Sequence, residues 1–128
     1  MIVIDSLDHL VLTVHDIDAT RAFYCDVLGM RFETFGEGRT AVHFGKQKIN
    51  LHVVGKEFEP RAHRATSGSG DLCFLTSVAL DTVIETLRAN GIAIVEGPVP
   101  KTGAQGPLRS VYVRDPDLNL IEISNLML

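Results

Sequence analysis

Residues 7–30 read LDHLVLTVHDIDATRAFYCDVLGM, and the order of patterns inside this stretch decides the fold. Residues 8–14, DHLVLTV, alternate and are rich in branched side chains, which predicts a strand. Asp16 and Asp18 are N-cap candidates for a helix running to about Leu28. Thr20, Phe23, Tyr24, Val27 and Leu28 recur at helical spacing, and Gly29 is the natural residue beyond the helix end. Outward from here, MRFETFG, TAVHFG and KINLHVV alternate again, with glycines at the turns between them. The first half therefore reads strand, helix, strand, strand, strand.

The second half repeats that order. GDLCFLT (70–76) predicts a strand. Ser77 is a candidate cap for a helix with Leu80, Val83, Ile84 and Leu87 on one face, closed by Gly91. IAIVEG, RSVYVRD and LNLIEIS predict three further strands. At an offset of 62, Gly29 falls on Gly91 and His9 on Asp71. At an offset of 70, Arg39 falls on Arg109 and His52 on Glu122. GPVPKTGAQGPL (97–108) absorbs the change of offset and reads as a Gly/Pro-rich loop, a candidate cover for a site. The expected fold class is α+β: two βαβββ modules, residues 1–62 and 67–128 of one 128-residue domain.

The repeat bears on a puzzle in DLNLIEISN (117–125). Read as a strand, it points Glu122 the same way as two leucines, with no counter-charge within two residues. Modules packed about a pseudo-two-fold axis bring equivalent residues together. His9, Asp71, His52 and Glu122 would then converge, and two imidazoles with two carboxylates suit a divalent metal. His9, His52 and Glu122 alone form the two-histidine, one-carboxylate set suited to Fe(II). Asp71 as a fourth ligand suits redox-neutral chemistry with Ni, Zn, Mn or Co. Glu122 is also the candidate base.

Composition narrows the field. Hydrophobic residues make up 45% and charged residues 22%, ordinary values for a globular domain with a real core. A net charge of -4 with mixed signs argues against nucleic acid as a partner. No apolar run is long enough to predict a membrane span, and MIVIDSLDH lacks the pattern of a secretory signal. Cys25 and Cys73 form no CxxC and are expected to be small core residues of a reduced, cytoplasmic protein. Cys73 shares a strand face with Asp71.

LDHLVLTVHDIDATRAFYCDVLGM and DPDLNLIEIS resemble the opening and closing motifs of the vicinal oxygen chelate superfamily, which includes glyoxalase I, extradiol dioxygenases, and the bleomycin- and fosfomycin-resistance proteins. KINLH and GSGDLCFLT resemble most the small single-domain glyoxalase-domain proteins of unassigned substrate. The resemblance implies paired modules of curved mixed sheet around a metal site, and often a homodimer. By motif match it places ligands at His9, His52, Asp71 and Glu122, although glyoxalase I carries glutamate at the second position and histidine at the third. It implies a divalent-metal-dependent lyase or isomerase of the glyoxalase I type, acting on a small molecule that chelates the metal through adjacent oxygens. The alternatives are an Fe(II) extradiol-type dioxygenase and a metal-free ligand-sequestering protein of the bleomycin-binding type. Thr13 and Lys56 stand where bacterial glyoxalase I carries its glutathione-anchoring arginine and asparagine, so a glutathione adduct would lose two anchors.

Overall fold

The computed structural model describes residues 1–127; Leu128, the last residue of the expected second module, lies outside the described residues. The chain divides into two compact units, Met1–Ser67 and Gly68–Leu128. Each holds one open four-stranded mixed sheet with a helical segment, so the fold is α+β in two βαβββ modules.

In the first unit β1 (His9–Val14) leads to α1 (Ile17–Arg21), which continues as a π-type turn over Ala22–Val27. Asp16 caps it: its Oδ1 accepts from the Asp18 and Ala19 amides at 2.8 and 3.3 Å. Thr20, Phe23 and Tyr24 are buried, as their spacing predicts. Strands β2 (Arg31–Phe35), β3 (Arg39–Phe44) and β4 (Gln47–Val53) follow, and the order across the sheet is β1-β4-β3-β2. β1 and β4 run parallel, because the helix carries the chain back over the sheet before β2 starts.

The second unit repeats this with β5 (Asp71–Leu75), α2 (Leu80–Ala89), β6 (Glu96–Gly103), β7 (Gly106–Arg114) and β8 (Leu120–Leu126), in the order β5-β8-β7-β6. Leu80, Ile84 and Leu87 of α2 are buried, as are Val111, Val113, Ile121 and Ile123 of the sheet. Ser77 is not the cap. Instead Asn125 on β8 accepts from the Leu80 amide at 2.8 Å, so a distant strand satisfies the first turn.

The second strand of this unit departs most from expectation. Residues 92–95 are irregular, and β6 begins at Glu96, where the predicted strand was ending. The Gly/Pro-rich segment is no loose cover. It forms a hairpin with β7, closed by the Gly103–Gly106 pair with Ala104 and Gln105 at the tip. Pro98 and Pro100 are tolerated because β6 is the outer strand, where a missing amide donor leaves no ladder bond unmade. Gly97 has φ +109°, and a Cβ there would lie 2.5 Å from the Ser110 carbonyl oxygen, so only glycine fits.

Turn chemistry sets β8. Buried Asp115 accepts from the Asp117 and Asn119 amides at 2.9 Å each and from Asn119 Nδ2 at 2.8 Å. Asn119 Oδ1 in turn accepts from the Gly70 amide at 2.7 Å, tying the turn to the start of β5. Leu118 sits in this turn at φ +70°, so strand alternation begins at Leu120 rather than at Leu118.

Candidate functional site

Pairing in the second sheet sets Cys73 opposite Glu122, Glu122 opposite Tyr112, and Tyr112 opposite Glu96. Cross-strand partners project from the same face. Asp71 is opposite Leu120, two positions along, and shares that face. The other face carries Ile121 and Ile123. On the Glu122 side lies a cavity of about 410 Å³, lined by Cys73, Lys101, Leu108, Tyr112, Glu122 and Leu126 among others, a size suited to a small molecule. Lys101 Nζ stands 5.5 Å from the centre of the Tyr112 ring and 3.8 Å from Glu96 Oε2.

Glu122 is answered by neutral groups. Ser124 Oγ donates to its Oε2 at 3.3 Å, and Ser124 is held by Ser110 at 2.6 Å and by the Cys73 thiol at 3.4 Å. Burial, then hydrogen bonding to Glu122 and the charge of Glu122, push Tyr112 up to about 12. Burial raises the Cys73 thiol as well, partly offset by Ser124. Among the described residues Glu122 makes no ion pair, so its half-buried carboxylate lacks a cation. Cys73 is exposed on this face and not the core residue its chemistry suggested.

On the first sheet His9 is opposite Lys48 and His52 is opposite Thr13, with both histidines on one face. His9 Nδ1 bonds Asp8 Oδ2 at 2.8 Å, which fixes the ring and leaves Nε2 as the lone-pair nitrogen. His52 is 8% exposed, and burial followed by the nearby Arg39 charge holds its pKa below the usual histidine value. The two histidines are four register positions apart, about 13 Å along the strand at 3.3 Å per residue. Asn50, opposite Val11, is only two positions from His9 on the same face. Its Oδ1 is buried with no hydrogen-bond partner.

The registers of the two sheets can be compared directly. His9 opposite Lys48 matches Asp71 opposite Leu120, so Lys48 falls on Leu120 at an offset of 72. The residue equivalent to Glu122 is then Asn50, and His52 is equivalent to Ser124. The offset of 70 was two residues short. The sequence holds the better match, since KINL laid over LIEI puts Asn50 on Glu122. His9 with Asn50 and Asp71 with Glu122 thus form like pairs, one on each sheet. Within either unit, among the described residues, no three His, Cys, Asp or Glu side chains are gathered in a metal-holding group. Lys101 was marked in the sequence by its place near the end of the Gly/Pro-rich segment, whereas Tyr112 had no distinguishing signal, because it gains its place from pairing across β6, β7 and β8.

Comparison with known proteins agrees with this architecture. The family model described as Glyoxalase/Bleomycin resistance protein/Dioxygenase superfamily matches residues 6–123. The chain is 57% identical over 122 residues to virulence protein STM3117 of Salmonella typhimurium, covering 95% of this chain and 85% of that one. It is 56% identical over 120 residues to the glyoxalase domain-containing protein RDO1 of Mycosarcoma maydis, covering 94% and 68%. Among solved structures, the integron cassette protein VCH_CASS1 from the mobile metagenome of V. cholerae superposes with a TM-score of 0.96 at 53% identity, covering 99% of each chain.

Proposed function

The chain belongs to the glyoxalase/bleomycin resistance protein/dioxygenase superfamily, and on that premise we propose that it is a divalent-metal-dependent lyase or isomerase of the glyoxalase I type. The observation that carries this reading is Glu122: a half-buried carboxylate at the floor of a cavity, met only by neutral donors. On the first sheet, the orphaned Asn50 Oδ1 and the Asp8-oriented His9 make a second pair of groups suited to a divalent ion. The donor set is His9, Asn50, Asp71 and Glu122, drawn from one chain or from two copies. Strand register favours Asn50 over His52 as the partner of His9. Nitrogen and oxygen donors without thiolate suit Ni, Zn, Mn, Co or Fe.

When bound, a divalent ion polarises adjacent oxygens of the substrate and lowers the cost of removing a neighbouring proton. The chain supplies the rest. A carboxylate oxygen of Glu122 takes the proton and returns it to the adjacent carbon. Tyr112, held neutral, keeps its O–H on Glu122 and orients that carboxylate toward the substrate. Lys101 favours a substrate that carries or develops negative charge. Leu75, Leu108 and Leu126 keep that side of the cavity dry. The protein acts as a homodimer in this reading, because Ile2, Val3 and Ile4 are 80% exposed or more and form a continuous apolar segment.

Elemental analysis of protein purified without chelator tests the metal. One divalent ion per site is expected, and Glu122→Gln should weaken binding by about tenfold or more, a typical loss for a disturbed metal shell. A wild-type protein that takes up no divalent metal on titration would remove the proposal. Turnover of the methylglyoxal–glutathione hemithioacetal should be weak, because Thr13 holds the place of an anchoring arginine.

A further inference from the structure

The face of the second sheet that bears Glu122 also carries a pair of serines that the proposed chemistry leaves unused. Ser110 is opposite Ser124, in the row next to Tyr112 and Glu122. Leu75 flanks Ser124 on β5, and Val99 flanks Ser110 on β6. Leu108 opposite Leu126 makes the following row. Both serines are 0% exposed, so two hydroxyls are buried among apolar neighbours.

Three features tie this pair to Glu122. The first is the direction of the bonds. Ser124 Oγ donates to Glu122 Oε2 at 3.3 Å. With its one proton committed there, Ser124 accepts at its 2.6 Å contact with Ser110, so Ser110 is the donor. The Cys73 thiol, 3.4 Å away, is left to donate as well. Ser124 then gives one bond and accepts two, all that a hydroxyl can make. The second is that stability does not call for the pair. Two buried hydroxyls bonded to each other contribute little beyond two apolar groups of the same shape. The opposite face of the same strands is filled by Val111, Val113, Ile121 and Ile123. The third is that the fold does not call for a small residue here. The equivalent of Ser124 on the first sheet is His52, a far larger side chain.

We infer that Ser110 and Ser124 form a buried hydroxyl relay that positions the Glu122 carboxylate. Ser110 locks the Ser124 hydroxyl, and Ser124 holds Oε2 of Glu122, while Tyr112 donates from the neighbouring strand. Both donors are neutral, so they fix the carboxylate without cancelling its attraction for a cation. Ligating carboxylates are held by such outer bonds, whose loss typically weakens metal binding roughly ten- to a hundredfold. The consequence for metal rests on the reading of Glu122 as a ligand; the relay itself is present without metal. Both serines are positioning residues, acting only through Glu122.

The test titrates the full chain with Co(II) alone, followed by its visible absorption. Ser124→Ala should bind about tenfold more weakly or worse, with a shifted band, and should keep the wild-type melting temperature. Ser110→Ala should show a smaller loss in the same direction. The double variant should be no worse than Ser124→Ala, because Ser110 acts through Ser124. Should Ser124→Ala not fold, Ser110→Ala decides on the same readouts. Undiminished affinity with an unchanged band overturns the relay, and additive losses remove Ser110 from it. A wild-type chain that takes up no Co(II) sinks the metal reading instead. The relay is then judged by the Glu122 side-chain carboxyl carbon signal in NMR of the metal-free chain at fixed pH. A signal displaced in Ser124→Ala upholds the relay, and a coincident one overturns it.

Discussion

Glu122 shows how one side chain takes its meaning from the strands beside it. Its carboxylate is flanked by a thiol and a phenol across the pairing and by a serine along the strand, none of which carries positive charge at neutral pH. Burial first, and then the neighbouring Glu122, defer the ionisation of Tyr112 to about pH 12. A tyrosine with a raised folded-state pKa favours the folded chain fully below about pH 10, its unfolded value, and loses that contribution as pH rises toward about 12. The metal-free protein should therefore lose thermal stability between pH 10 and 12, and Tyr112→Phe should flatten that limb. Melting temperatures of both proteins across this range decide the matter; parallel curves would mean that Tyr112 ionises normally. The residue types at the site were legible from the sequence. His9, Asp71 and Glu122 stand out by chemistry alone, whereas Asn50 is an unremarkable polar residue until its oxygen is seen buried and unpaired.

At the scale of elements, periodicity was a reliable guide where it ran undisturbed. The strand at His9–Val14 and the helix at Leu80–Ala89 fall where alternation and helical spacing place them. Gly29 and Gly91 both end their helical segments with φ above +70°, as their position suggested. The hairpin of β6 was obscured because glycine and proline, read locally, signal a loop. An outer strand accepts prolines that an inner strand would not, and position in the sheet is not a local property. Gly97 is the residue on which this strand depends. Gly97→Ala combines a disfavoured positive φ with a clash against the Ser110 carbonyl and the Val111 Cα. It should destabilise the protein by about 2 kcal/mol or more, read from the urea midpoint. A loss below about 0.5 kcal/mol, within the range of surface substitutions, would show that β6 shifts freely at this point.

At the scale of the whole molecule, the duplication supplies two sheets, each with a pair of the proposed donors two register positions apart. Two donors on one sheet do not by themselves complete the metal shell of the proposed function. Self-association is expected to cover the apolar segment at Ile2, Val3 and Ile4. Sedimentation should give about twice the 14.0 kDa chain mass, and Ile4→Asp should shift the population toward monomer. A wild-type chain that sediments as a monomer at micromolar concentration would remove the dimer from the proposal.

From residues alone, the order of strands and helices, the doubled architecture and the family were decided, because each rests on patterns a few residues long that recur along the chain. The tertiary structure decided which residues stand side by side. Alternation tells which way a side chain faces, but only hydrogen-bond pairing between distant strands tells what lies across from it. That pairing moved the counterpart of Glu122 from His52 to Asn50, and it set two buried serines side by side in the row next to Glu122.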